Sequence, residues 1–325
     1  MKTSGARRVL TCALCLAACA FGAAQAAAQP YPQRPIRLLV PNPPGGATDN
    51  LARVIAPRLA ETLGQTVVVD NRPGSNGNIA AELAARAAPD GHTLLLAADA
   101  QIVISPHLYR RLPYDPLKDL APVASLVSTQ MLLAVHPSLP AKSVTEFVEH
   151  ARRASPPLVY GSIGNGSQHH LAMEMLKSRA GINLLHVPYK GGGPALAGLF
   201  AGEVSVMFGG SSAGPHVRAG RLRALAMAGR RNPAYPDLPA LSEFYPGLEV
   251  NPWLGLFAPA EPPPRVLERL RAEVGRLLGN PEAAGRVRGA ALDPYLTTPQ
   301  EFVKVIRADH ARYGEIVKRI GIRID

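Results

Sequence analysis

Two short segments carry small, hydroxyl-bearing and turn-forming residues in a pattern suited to holding an anion. The first reads Val40-Pro41-Asn42-Pro43-Pro44-Gly45-Gly46-Ala47-Thr48-Asp49. It follows an apolar stretch at 36–40 and precedes Leu51, Val54, Ile55, Leu59 and Leu63, which recur at helical spacing. Gly45 and Gly46 carry no side chains, so backbone N–H groups there can approach a ligand. Thr48 or Asp49 can cap the helix that opens at this point. The second segment reads Tyr160-Gly161-Ser162-Ile163-Gly164-Asn165-Gly166-Ser167 and again joins a strand to a helix, which starts at Gln168. A helix start leaves N–H donors unpaired and carries about half a positive charge, which suits a carboxylate. Taken singly, each segment reads more simply as a Gly-rich connector before a capped helix. Taken together, they predict two helix N-termini facing a shared crevice, since ligands of open α/β sheets bind beyond the carboxyl ends of strands. Such a pair would clamp a small anion, including one with a carboxylate at each end. Neither segment fits Gly-x-x-x-x-Gly-Lys-Ser/Thr or Gly-x-Gly-x-x-Gly. A third turn, Tyr189-Lys190-Gly191-Gly192-Gly193-Pro194, either adds amides to the crevice or is a sharp turn before a proline in the first helical turn.

Other residues offer different chemistry. Asp99 follows a strand at 93–97. Facing the crevice, it would recognise an ammonium group or repel a second carboxylate; otherwise it is a solvated loop aspartate. Gly210-Ser211-Ser212-Ala213-Gly214 matches the nucleophile elbow Gly-x-Ser-x-Gly and follows a strand at 204–208. With His216, Asp237 and His310 as candidate partners, Ser212 supports an alternative reading as a secreted serine hydrolase. Pro215 counts against it, because a sound helix should follow the nucleophile. His169 and His170 are adjacent, and neighbours on a helix point about 100° apart, so the pair is not expected to chelate one ion. The sequence predicts no metal site and no cofactor. It places His169 in solvent, His170 in the cap region or crevice, and His186 in the core.

These residues need elements to position them. Strands are expected at 36–40, 67–69, 93–97, 131–135, 158–160, 184–187, 204–208, 223–228 and 254–257. Helices are expected at 51–63, 79–88, 144–153, 168–179, 194–201, 265–278 and 299–319, with a kink at Pro57. The alternation predicts an α/β protein with mainly parallel sheets. A chain of 325 residues suggests about two domains. Hydrophobic residues at 47% against 18% charged exclude a disordered chain. Aromatic residues at 5% argue against stacking sites for single-stranded nucleic acid. The basic residues are scattered rather than clustered, so no nucleic-acid partner is expected.

The N-terminus reads as an address. Lys2, Arg7 and Arg8 precede an apolar stretch at 9–24, with small-x-small sites at 24–26 and 26–28. This pattern predicts a signal peptide over 1–28 and a periplasmic protein. Leu16-Ala17-Ala18-Cys19 resembles a lipobox, and lipidation of Cys19 is the alternative fate. Cys12, Cys15 and Cys19 all lie here, so the mature chain would hold no disulfide or thiolate. The net charge is +11, and Lys2, Arg7 and Arg8 supply three of those charges. A basic mature chain can steer small anions towards a cleft.

The segments IRLLVPNPPGGATD, VVVDNRPGSNGNIA, YGSIGNGSQHHLAMEMLK, HVPYKGGGPALAGLFAGEVSVMF and PWLGLFAPA follow one another in an order that resembles the tripartite tricarboxylate transporter substrate-binding, or Bug-type, family. The resemblance runs from about residue 31 to the C-terminus. It implies a type II periplasmic binding-protein fold: two lobes closing on a small carboxylate in a central cleft. Residues 29–127 and 253–325 would form one lobe and 128–252 the other, with crossings near 123–135 and 250–257. By the same resemblance Gly45, Gly46, Ala47, Thr48 and Asp49 match the first lobe's loop. Ser162, Asn165, Gly166 and Ser167 match the second lobe's, and His170 matches the histidine of the family's "HL" helix. The implied function is an extracytoplasmic receptor, not an enzyme, that hands a small carboxylate (a di- or tricarboxylate or related organic acid) to membrane transporter subunits of the tripartite tricarboxylate type or to a sensor. Two places depart from the family pattern. Gly209-Gly210-Ser211-Ser212 stands where an acidic residue is frequent, and Asp99-Ala100-Gln101 stands where Ser or Thr is frequent.

Overall fold

Buried apolar runs bounded by Gly and Pro turns build two sheets from this chain. The computed structural model describes residues 31–289 and 292–324. The expected signal peptide, with Cys12, Cys15 and Cys19, lies outside the described residues. In chain order the strands are β1 (Ile36–Val40), β2 (Val67–Asn71), β3 (Thr93–Ala98), β4 (Leu120–Ser128), β5 (Leu132–Val135), β6 (Leu158–Ser162), β7 (Leu184–Pro188), β8 (Val206–Gly209), β9 (Arg223–Met227), β10 (Trp253–Pro259) and β11 (Asp293–Pro294). The α-helices are α1 (Ala47–Leu63), α2 (Asn78–Ala85), α3 (Ser105–Leu108), α4 (Val144–Arg153), α5 (Gln168–Ala180), α6 (Gly192–Phe200), α7 (Gly214–Arg218), α8 (Pro264–Gly279), α9 (Pro281–Gly289) and α10 (Pro299–Ile320).

One sheet has the order β11-β4-β10-β3-β1-β2 and the other β7-β6-β8-β5-β9. Both are mixed. β1 runs parallel to β2 and β3, and β6 runs parallel to β7 and β8. The strand that receives the chain after each crossing runs the other way: β10 is antiparallel to β3 and β4, and β5 to β8 and β9. The parallel strands are the ones that lead into the Gly-rich loops. Both faces of each sheet are covered, which explains why the inner strands read as continuous apolar runs. Leu38 and Val40 face a core shared with α1, α8 and α9, while Leu39 faces α2 and α10 on the other side. In the second lobe α4 and α5 cover one face and α6 the other.

The two crossings lie side by side. Thr129 N–H donates to Pro252 O at 2.9 Å, and Ala228 joins both crossings through Met131 O and Val250 N–H at 2.8 and 2.9 Å. The lobes also touch away from the crossings, where Leu171 of α5 enters the first lobe's cluster beside α10. Several elements went unread in the sequence, the short α7 and β11 among them. β4 carries Pro122 and Ser125, which break its apolar pattern, yet it pairs with β10 along its length. Residues 100–104 form a π-helical turn that continues into α3, and α9 follows α8 after Asn280. α1 continues through Pro57 as one helix.

Candidate functional site

The loop after β1 ends on Gly46, which sits in extended conformation as the N-cap of α1 with no side chain capping the helix. The expected cap from Thr48 or Asp49 is therefore corrected. The first-turn amides keep their polar direction without a built-in acceptor. Gly45 and Ala47 are exposed, Gly46 half-buried and Thr48 buried. Asp49 turns inward and is 1% exposed. Its Oδ2 accepts from Gly45 N–H at 2.8 Å and Arg53 Nε at 2.9 Å, and its Oδ1 accepts from Asn71 Nδ2 at 3.0 Å. Burial alone would raise its pKa, but these hydrogen bonds and the Arg53 charge hold the carboxyl below its usual range. Asp49 thus braces the loop from behind, with both oxygens engaged by the chain itself.

The loop after β6 is built differently. Ser167 is the N-cap of α5: its Oγ accepts from His170 N–H at 3.3 Å and donates to Gly164 O at 2.7 Å. Ser162 Oγ accepts from Gly164 N–H at 3.2 Å and lies 2.7 Å from His186 Nε2. Gly166 N–H donates to His170 Nδ1 at 3.1 Å. The His170 ring stacks on His186 at 4.0 Å and 10°, and His186 stacks on Tyr160 at 4.7 Å and 17°. Burial lowers the pKa of both histidines, that of His186 to about 4. Gly166 has φ +72°, and a Cβ there would fall 2.5 Å from Leu108 Cδ1 and 2.8 Å from Ile324 Cδ1. Only glycine fits. Asn165 is exposed at the tip.

A turn at 75–77 joins the two loops. Gln101 Nε2 donates to Asn76 O at 2.6 Å, and Asn76 Nδ2 reaches Gly166 O in the other lobe at 3.5 Å. Pro41 lies directly against Gly77. Sequence reading missed Asn76. Its signal was an asparagine in Gly74-Ser75-Asn76-Gly77, the residue type that best tolerates the left-handed φ of +54° it adopts. The third Gly-rich turn flanks the second loop, with Tyr189 N–H donating to Ser162 O at 2.9 Å.

Asp99 requires correction. It follows β3 and is 0% exposed, so it is not a solvated loop residue and presents no free carboxylate to a crevice. Burial, then the charge of Asp309 on α10, raise its pKa well above the carboxylate range. His169 is corrected too: it is buried rather than solvated, and burial lowers its pKa to about 4. Ser212 is exposed, and no hydrogen bond joins it to a histidine among the described residues. His216 packs edge-on against Phe200, and His310 lies against His107. The serine, histidine and aspartate of a hydrolase site are thus not assembled. No group of three or more His, Cys, Asp or Glu side chains that could hold a metal ion occurs among the described residues. No helix among them is long and apolar enough to cross a membrane.

Residues 51–322 match the model of the tripartite tricarboxylate transporter family receptor. A UPF0065 protein of Pseudomonas sp. strain P51 is 35% identical over 291 residues, covering 88% of this chain and 86% of its own. BugT of Bordetella pertussis is 33% identical, covering 93% and 94%. Among solved structures, an R. palustris protein with adipate has a TM-score of 0.82 at 34% identity, covering 90% of this chain and 99% of its own. MatC from Rhodopseudomonas palustris with bound malate has a TM-score of 0.79 at 32% identity, covering 88% and 100%. With this match over most of its length and two lobes of that architecture, the chain belongs to the tripartite tricarboxylate transporter family of receptors.

Proposed function

We propose that the protein is a periplasmic receptor that captures a small di- or tricarboxylate between its lobes and presents it to a membrane partner, either transporter subunits of the tripartite tricarboxylate type or a sensor. The observation that carries this reading is the meeting of two strand-to-helix loops, each ending at a helix N-terminus, across the turn at 75–77. Residues 29–127 with 253–325 act as one lobe and 128–252 as the other. Gly46, Ala47 and Thr48 supply donors from the first loop, with Gly45 and Asp49 as their brace. Asn165 and the amides at the start of α5 supply the second, held in place by Ser162, Gly166 and Ser167, whose own donors are engaged within the loop. The relatives with adipate and malate support a carboxylate as the ligand class.

Binding and closure follow from this arrangement. A carboxylate seated on the first loop meets the second loop's donors only when the lobes approach. Closure adds hydrogen bonds and expels water, so ligand shifts an open–closed equilibrium towards the closed form. A thermal-shift screen of the mature protein, refolded to strip retained ligand, tests the proposal. The panel holds malate, adipate, citrate and glutamate, with glucose as the control. A carboxylate at 100 times its Kd should add about 2.7 kcal/mol, a clear rise in Tm. No rise with any of the four, at concentrations up to 10 mM, would overturn the reading.

A further inference from the structure

The second loop depends on a ring nitrogen that must carry no proton. Gly166 N–H donates to His170 Nδ1 at 3.1 Å, so that nitrogen is an acceptor and the neutral ring carries its proton on Nε2. Gly166 is also the residue whose carbonyl meets Asn76 of the other lobe. It sits where a side chain would strike Leu108 and Ile324. The orientation of this one residue therefore fixes both the start of α5 and the contact between lobes.

We infer that His170 is a positioning residue of the binding site, whose neutral ring holds Gly166 in place and whose protonation at Nδ1 releases the second loop. This rests on the receptor reading proposed above. Protonation would turn two donors towards each other at Nδ1 and Gly166 N, and the bond between them would be lost. Several features keep the ring neutral and oriented. His170 lies in the first turn of α5, where the helix terminus disfavours a cation. From β7, His186 stacks on it in parallel at 4.0 Å, so the two rings do not share the space as cations. From β6, Tyr160 stacks behind His186 and donates its hydroxyl to Glu174 Oε1 at 2.6 Å. The charges facing the ring from its own helix are Glu174 and Lys177, and they neutralise each other at 2.7 Å. Burial, which disfavours the protonated ring, outweighs the charge of Glu174, which favours it and is partly offset by Lys177.

The test compares wild type with His170→Asn and His170→Ala, using malate and adipate as probes in titration calorimetry at pH 7.5 and 5.0. Asparagine places an amide oxygen near the position of Nδ1 and does not titrate. Each protein's own ratio of Kd at the two pH values is the readout, so protonation of the probe cancels between proteins. The wild-type ratio should exceed that of His170→Asn, by up to about fivefold, the size of one fully lost hydrogen bond. His170→Ala should bind more weakly than His170→Asn at pH 7.5, with Tm confirming that both fold. Equal pH ratios in wild type and His170→Asn would overturn the inference. The amide resonance of Gly166 in ligand-free, ¹⁵N-labelled protein supplies a readout that needs no ligand. If it titrates together with the His170 ring, protonation releases the loop whether or not either probe binds, which separates a failure of the receptor reading from a failure of the ring's role. A Gly166 amide that stays constant while the ring titrates would sink it.

Discussion

The two Gly-rich loops, after β1 and after β6, each open a helix but are held by opposite chemistry. The first is braced by an ionised carboxylate, Asp49, that gathers Gly45, Arg53 and Asn71 around it. The second is held by neutral groups: the hydroxyls of Ser162 and Ser167 and the rings of His170 and His186. A braced carboxylate with a lowered pKa keeps its charge through mild acid. A buried histidine with a lowered pKa also stays neutral through mild acid and takes its proton only as pH nears its folded value, about 4 for His186. The neutral loop should therefore lose its bonds at a higher pH than the ionised one, whose carboxyl sits below its usual range.

Acidification probes this contrast most broadly and should have the largest effect. His169, His170 and His186 all have lowered folded pKa values. Their unfolded forms bind protons first, so their contribution is full above about pH 6.5 and is lost as pH falls towards their folded values, about 4 for His169 and His186. Asp49 has the same sign but a lower window, because its contribution is lost only as pH falls through its depressed folded value. Chemical denaturation from pH 7.5 to 4.5 should therefore show falling stability, with amide exchange rising in the second loop before the first. Simultaneous loosening of both loops would erase the distinction.

Single substitutions sharpen it in decreasing order. Asp49→Ala leaves three donors around an empty site and should cost about 3 kcal/mol in urea denaturation, with loop one affected first. Gly166→Ala forces an L side chain into left-handed backbone against Leu108 and Ile324. It should cost about 2 kcal/mol and weaken carboxylate binding, both measurable in one thermal-shift titration. Ser167→Ala removes the cap of α5 and should cost about 1 kcal/mol, whereas Thr48→Ala removes no cap from α1 and should cost less by the same method. Asn76→Ala deletes one long cross-lobe bond and should change affinity by about twofold, a small loss that calorimetry can resolve.

Much of this was legible from local pattern. The strands at 36–40, 93–98, 158–162 and 184–188 are apolar runs, and their periodicity and flanking glycines announce them. Ser167, at the end of the second Gly-rich segment, caps α5 as its residue type suggests. The alternation of strands and helices implied α/β architecture, and the positions of the Gly-rich loops implied where two helix N-termini begin. β4 was less legible, because Pro122 and Ser125 interrupt its pattern and pairing with β10 supplies what the pattern lacks.

Tertiary structure alone decided what each polar residue faces. Asp49 and Asp99 stand in similar places after parallel strands. One is ringed by donors and held ionised, while the other is sealed under α10 with neither oxygen accepting a bond among the described residues. His169 and His170 are neighbours in sequence, yet only His170 finds Gly166 and the His186 ring. Asn76 matters because Gln101 and Gly166, distant in sequence, meet it. A side chain's type and local spacing set which bonds it can form. Burial and partner identity come from contacts between distant segments, and those exist only once both sheets have packed.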